Sequence, residues 1–327
     1  MPPQPRAPGK RLSAWTPSRR QFLLGAGGLA LAAGTGARRF SGQDRAGTRL
    51  ILLGTKGGPR VTTGSRSNPS TLLLVGGTPL VVDCGYGTAG RLVAAGVALE
   101  TLRYIFITHH HSDHSLDYGP LVYSGWVAGL ASRVDAYGPS GMEELTGGFF
   151  EYMRSDIETR IADEGRPDLR QFLMPHSFGE SGVVLETPFM TVSAARVLHP
   201  PIEQAYAYRF DTGDRSIVIS GDTTYAPALA ELARGADVLV HEAMYVPGLD
   251  GLLARVPNAE TLREHLLASH TVTEDVGRIA AEAGVGTLVL SHLVPGDDPS
   301  ITDDQWTEGV RAHFDGEIIV GRDLMEI

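Results

Sequence analysis

The stretch Tyr104-Ile105-Phe106-Ile107-Thr108-His109-His110-His111-Ser112-Asp113-His114 decides the fold. Its first half is apolar and β-branched and predicts a buried strand. Its second half packs imidazoles and a carboxylate, in H-x-H-x-D-H spacing, at that strand's C-terminal end, where the active sites of open α/β sheets gather. Residues two apart on an extended chain point the same way, so His109 and His111 can bind one cation together while His110 points elsewhere. Beyond the turn, Asp113 and His114 can reach a second cation, and imidazole with carboxylate suits zinc.

Four further apolar runs end on side chains of the same kinds. Arg196-Val197-Leu198 delivers His199, Ser216 to Gly221 delivers Asp222, Val238-Leu239-Val240 delivers His241 and Glu242, and Leu288 to Ser291 delivers His292. Five strand ends presenting metal-type or acid/base groups argue for one convergent cleft.

Taken in order, these residues resemble the metallo-β-lactamase superfamily, whose pattern runs Asp, H-x-H-x-D-H, His, Asp, His. Asp83, in Leu80-Val81-Val82-Asp83-Cys84-Gly85, stands in the first motif, residues 109 to 114 in the second, and His199, Asp222 and His292 in the last three. The resemblance implies an α/β fold, a four-layer αβ/βα sandwich with a helical insertion. It also implies one cation on His109, His111 and His199, another on Asp113, His114 and His292, and Asp222 bridging them. Asp83 would orient the ligand loop. The cofactors implied are two divalent ions, zinc first, with manganese or iron as alternatives.

The second half resembles a narrower branch. His241-Glu242-Ala243 is similar to the H-E-A motif of ribonuclease Z relatives, and Ser269-His270-Thr271 with Ala280, Ala281 and Ala283 is similar to their H-S-T helix. Leu53-Gly54-Thr55 with Gly57-Gly58-Pro59 resembles their opening strand and turn. The whole looks most like the exported, arylsulfatase-like cousins of that branch. Gly85-Tyr86-Gly87-Thr88-Ala89 stands where the branch has Gly-Glu-Gly-Thr-Gln, and the third residue of H-S-T is displaced, which argues against a tRNA substrate. In the chemistry this implies, two cations lower the pKa of a water held between them, Asp222 keeps it in place, and His270, oriented by Glu242, protonates the leaving oxygen. His241, His265, His176 and His313 read as structural or surface residues.

The N-terminus carries a second signal. Ser18-Arg19-Arg20-Gln21-Phe22-Leu23-Leu24 resembles a twin-arginine export motif, and the apolar run 22–33 that follows, about 18 Å as a helix, falls short of a bilayer core. It reads as a signal region with no stable membrane span, giving residues 1–37 as leader and 38–327 as the hydrolase domain. Residues 1–37 hold 5 basic residues and no acidic ones, leaving 23 Lys+Arg against 38 Asp+Glu, a net −15. Such a charge repels nucleic-acid phosphates. The single cysteine, Cys84, permits no intramolecular disulfide and reads as a buried thiol.

The segment at about 139–187 interrupts the motif order and reads as an insertion. Between residues 141 and 180 it carries 9 acidic residues against 4 arginines, with Phe149, Phe150, Tyr152, Met153, Phe172, Met174 and Phe178. A helix packed on its own domain is set slightly ahead of a lid or a dimer-forming arm.

These readings sum to an exported, periplasmic or extracellular, binuclear hydrolase cleaving a small phosphodiester or sulfate ester. A lactonase or carboxyl esterase of the same fold is the alternative; a ribonuclease Z-like endonuclease and a non-catalytic metal scaffold rank below. The expected partners are a small-molecule ester, the twin-arginine export machinery and a second copy in a homodimer, with no nucleic acid.

Overall fold

Two sheets of seven strands face each other across a shared apolar layer. The computed structural model describes residues 47–62, 66–257 and 259–327; the expected leader, residues 1–37, lies outside the described residues. One sheet runs β14-β1-β2-β3-β4-β5-β6, from β1 (Arg49–Gly54), β2 (Ser70–Val75), β3 (Thr78–Val82), β4 (Tyr104–Phe106), β5 (Val134–Pro139), β6 (Leu173–Phe178) and β14 (Met325–Glu326). The other runs β13-β12-β11-β10-β9-β8-β7, from β7 (Gly182–Thr187), β8 (Met190–His199), β9 (Ile202–Thr212), β10 (Ser216–Ile219), β11 (Val238–Met244), β12 (Thr287–Val294) and β13 (Glu317–Val320).

The near-continuous apolar runs follow from burial on both faces. Along β1, Leu50 and Leu52 enter the layer between the sheets, while Ile51 and Leu53 turn out toward helices. The same alternation sends Ile217 and Ile219 inward and Val218 outward on β10. Phe106 lies at the middle of the shared layer, stacked on Tyr137 at 5.3 Å and edge-on to Phe210 at 5.2 Å.

Helices cover the outer faces and complete the four-layer sandwich expected from the sequence. On the first sheet lie α1 (Thr88–Ala94), α3 (Tyr118–Ala128), α4 (Met142–Tyr152) and α5 (Arg154–Glu164). On the second lie α6 (Pro227–Leu232), α9 (Thr273–Ala283) and α10 (Asp303–Arg311). Helix α9 buries Val276, Ile279, Ala280 and Ala283, spaced as one helical face requires. Among the described residues no helix is long and apolar enough to cross a membrane.

The segment 139–187 adds β6 to the edge of the first sheet and β7 to the edge of the second. Its helices pack Phe149, Phe150, Met153 and Ile157 into the outer core, and β6 pairs in parallel with β5, from Val134↔Leu173 to Pro139↔Phe178. Strands β3 to β6 are parallel to one another, as are β10 to β13. The loops after their C-terminal ends, together with α2 (Ser112–Ser115), α7 (Leu249–Ala254) and α8 (Leu262–Ser269), hold the functional residues.

Candidate active site

The expected site residues gather at or near the ends of strands, apart from Asp113 and His114 on a short helix and His270, which follows α8. Asp83 follows β3, and His109 to His111 follow β4 by way of Ile107 and Thr108. His199 closes β8, Asp222 follows β10 after Gly221, Glu242 lies within β11 and His292 within β12. Asp113 and His114 belong to α2, so the turn expected after His111 is one turn of helix. Asp83 and His292 adopt positive φ, 62° and 42°, which side-chain-bearing residues seldom do. Such strain collects at functional sites, where the surroundings over-determine the geometry. At Gly221, φ is 59° and a Cβ would fall 2.8 Å from the Tyr206 carbonyl oxygen, so the turn that aims Asp222 requires glycine.

Two adjoining donor groups result. In the first, His109 Nε2 lies 3.0 Å and His199 Nε2 3.1 Å from His111 Nδ1. In the second, Asp113, His114, Asp222 and His292 bring one ligand atom each to within 4.8 Å of one another. Asp222 Oδ2 stands between the groups: it is 3.1 Å from His292 Nε2 and 3.3 Å from His114 Nε2, and 3.8 and 3.9 Å from the Nε2 atoms of His109 and His199. His110 points away, its Nε2 3.0 Å from the Ser140 carbonyl, as alternation along the strand predicts.

The donors are held from behind. His114 Nδ1 meets Asp83 Oδ2 at 2.8 Å, and Asp83 Oδ1 accepts the Thr108 N–H at 2.8 Å. His199 Nδ1 donates to the Ser269 carbonyl at 2.9 Å, which turns Nε2 toward the cluster as an acceptor. His114 Nε2, Asp222 Oδ1 and both ring nitrogens of His292 are buried without a hydrogen-bond partner. Burial holds His109 well below the ordinary imidazole range, with His114 adding to the effect, and takes His199 down to about 4. Burial opposes charge on Asp222, but the imidazoles of His114 and His292 outweigh it and hold the carboxyl well below its usual range. Neutral imidazole lone pairs about 3 Å apart repel unless a proton or cation lies among them, and burial disfavours the proton. The donor set therefore fits divalent metal ions.

A third group adjoins these. His270 Nδ1 meets Glu242 Oε2 at 2.9 Å and Oε1 at 3.1 Å, and Glu242 Oε1 also accepts the Thr223 N–H at 2.7 Å. Glu242 is fully enclosed, and burial raises its pKa against the pull of His270. For His270, burial opposes the imidazolium but Glu242 overcomes it, raising the pKa to about 9. The His270 ring stacks on His292 at 5.5 Å, which places it at the rim of the donor cluster.

A cavity of about 550 Å³ opens onto His111, Asp113, Asp222, His270 and His292. Its apolar lining comes from Leu252, Val256, Leu262 and Leu266 of the α7–α8 region with Val294 and Pro295. No residue of the 139–187 segment lines it among the described residues. His265, read from sequence as structural or surface, lines this cavity with its ring 6.2 Å from His270; its place on α8, five residues before His270, was the available signal. His241 is buried against its own strand, Nδ1 2.7 Å from the Glu242 carbonyl, and stays outside the cluster.

A two-sheet sandwich whose strand ends converge imidazoles and carboxylates on one cavity defines a metal-dependent hydrolase. Residues 64–292 match the family model described as the metallo-beta-lactamase superfamily. A ribonuclease Z from Mycobacterium marinum is 31% identical over 281 residues, 85% of this chain and 97% of its own length. Among solved structures, the metallo-beta-lactamase fold protein YhfI from Bacillus subtilis superposes with a TM-score of 0.63 at 22% identity, covering 86% of this chain and 98% of its own. The short form of human tRNase Z does so with 0.62 at 19% identity, covering 85% and 98%. The chain belongs to the metallo-beta-lactamase superfamily and, within it, to the family of ribonuclease Z.

These relatives correct two expectations. The small phosphodiester or sulfate ester, with its lactone or carboxyl-ester alternative, gives way because relatives aligned over nearly their whole length carry the name of a ribonuclease. The expected absence of a nucleic-acid partner falls with it. Net charge averages over the whole surface, including the acidic α4–α5 region, no described residue of which lines the cavity, whereas binding depends on charge beside the site.

Proposed function

We propose that the protein is a metal-dependent endoribonuclease that hydrolyses phosphodiester bonds in RNA. The observation that supports this best is the buried His270–Glu242 pair at the rim of a seven-donor cluster, in a chain of which ribonuclease Z relatives match 85%. His109, His111 and His199 would hold one divalent ion, Asp113, His114 and His292 the other, with Asp222 facing both. Zinc suits this donor set, and bound there the ions supply Lewis acidity and a water of lowered pKa.

The chain's own residues do the rest. Asp83 fixes the tautomer of His114 by taking its Nδ1 proton in a hydrogen bond, so that Nε2 faces the cluster. Asp222 Oδ1, with no protein partner, can accept a hydrogen bond from the attacking water and aim its lone pair. His270, kept protonated by Glu242, stands ready to give its Nε2 proton to the leaving oxygen.

The test is incubation of metal-loaded protein with single-stranded RNA and with a 3′-extended transfer RNA, with and without EDTA. Chelator-sensitive internal cleavage is expected, and intact RNA under every metal supplied would end this reading. Export through residues 1–37 is proposed on the sequence alone. Fractionation of Arg19→Lys/Arg20→Lys cells should find the protein retained in the cytoplasm, and unaltered export would refute the leader.

A further inference from the structure

Lys10 and Lys56 are the only lysines in this chain, whose other basic residues are all arginines. Lys56 is therefore the one lysine among the described residues, and only 3% of it is exposed. Its backbone is clamped beside β12: the Gly57 N–H donates to the Leu293 carbonyl and the Leu293 N–H to the Thr55 carbonyl, each at 2.9 Å. Its stem is confined by Gly296, where a Cβ would lie 3.0 Å from Lys56 Cγ.

The side chain lines the active-site cavity, and its ammonium donates to the Gly58 carbonyl at 2.6 Å. An ammonium has three donors. Among the described residues, Lys56 has no other acceptor and no carboxylate within ion-pair distance; Asp113, Asp297 and Asp323 act on it only through space. The other cation in the cavity wall, Arg60, is bound by Asp297, which also takes Arg255 at 3.0 Å. Arg60 is thus already engaged by a carboxylate, while Lys56 has none within ion-pair distance.

Leaving a buried charge unpaired costs several kcal/mol, and burial does push Lys56 below the usual amine range. A counter-charge arriving in the cavity offsets that cost. The same cavity is lined by apolar side chains, so beside the donor cluster it presents an ammonium without a carboxylate partner together with a non-polar surface. That pairing matches a nucleotide unit, with phosphate on the cation and base on the apolar wall, and lysine is the compact point charge suited to a single phosphate.

We propose that Lys56 is the cavity's phosphate anchor, its ammonium binding the RNA backbone phosphate next to the scissile one. This rests on the RNA-cleaving reading above and assigns a residue to substrate positioning.

The experiment measures kcat and KM of the metal-loaded protein on a single-stranded oligoribonucleotide across a salt series, for wild type, Lys56→Met and Lys56→Arg. Lys56→Met should raise KM about tenfold, as loss of one charge-assisted hydrogen bond implies, with a smaller effect on kcat. The salt dependence of log KM should become shallower by about 0.7, the value of one lost phosphate contact on a single strand. Lys56→Arg should restore the salt dependence. Unchanged KM and salt dependence in Lys56→Met would overturn the anchor alone, whereas wild type that leaves RNA intact would overturn both the anchor and the function it rests on. Should Lys56→Met fail to fold, amine labelling of wild type followed by mass spectrometry decides. A 5′-phosphorylated oligoribonucleotide should slow modification of Lys56 and spare Lys10, and equal rates with and without it would refute the anchor.

Discussion

On one side of the cavity, polar side chains arrive from strand ends whose backbones are pinned in two sheets, and His114 and His199 are braced by hydrogen bonds to Asp83 and to the Ser269 carbonyl. On the other side, Leu252, Val256, Leu262 and Leu266 come from the α7–α8 region, which packs on the ends of β11 and β12 through a small core of Met244, Leu249, Leu266 and Val294. The first wall is rigid and polar and suits chemistry, which tolerates little displacement. The second is apolar and lightly anchored and suits substrate selection, where loops vary on a fixed scaffold. Lys56 and Gly57 join the two walls, because both flank β12 beside His292.

Substitutions on the two sides should therefore fail differently. The largest effect is expected at Asp222. Asp222→Asn removes the one carboxylate facing both groups and leaves His114 and His292 without their strongest partner, so RNA cleavage should fall on the order of 10⁴-fold and metal content should drop. Retention of both would dissolve the distinction between the walls. Next, His270→Ala should lower kcat by about 10²- to 10³-fold with metal content intact, a loss that would identify proton delivery and not ligation. The pH dependence sharpens this assignment. In metal-free protein the His270 pKa rises from 6.5 to about 9, so the stabilisation from its pair with Glu242 is complete below 6.5 and lost as pH climbs through 9. Cations bound nearby lower that value, which places the alkaline limb of kcat/KM below 9, and Glu242→Gln should move it lower still.

Asp83→Ala should cost about 10- to 100-fold in metal affinity, measured by chelator competition, since it releases His114 without removing a donor. The smallest effect is expected at the seam. A Cβ on Gly57 would fall 2.9 Å from the His292 ring and 2.5 Å from Val294, so Gly57→Ala should destabilise by about 1–3 kcal/mol in denaturant unfolding. A fully stable Gly57→Ala protein would show that the two walls are not packed together there.

The rigid wall was legible in the sequence and the other was not, for a physical reason. Metal-type side chains at fixed spacing after apolar runs are a local signal, and His109, His111, Asp113, His114, His199, Asp222 and His292 converge as that signal implied. The two-faced burial of β1, β3, β10 and β12 likewise left continuous apolar runs to read. Strand β9 offers no continuous apolar run to read, because Gln204 and Arg209 interrupt it and their polar heads reach neighbouring groups. The crossover through α4 and α5 looked like an insertion because its apolar residues are diluted by surface acids. Lys56 and His265 carry no motif and acquire meaning only when β12 and α8 bring them to the cavity. Net charge misled most, since it has no spatial resolution.

The measurement that tests the central claim most directly is metal content by elemental analysis of the full chain and of Asp222→Asn, run in parallel with cleavage of a labelled RNA. The account predicts about two metals per wild-type chain, chelator-sensitive cleavage of the RNA, and loss of both in Asp222→Asn. A wild-type protein that carries its metals and leaves every RNA intact would contradict it.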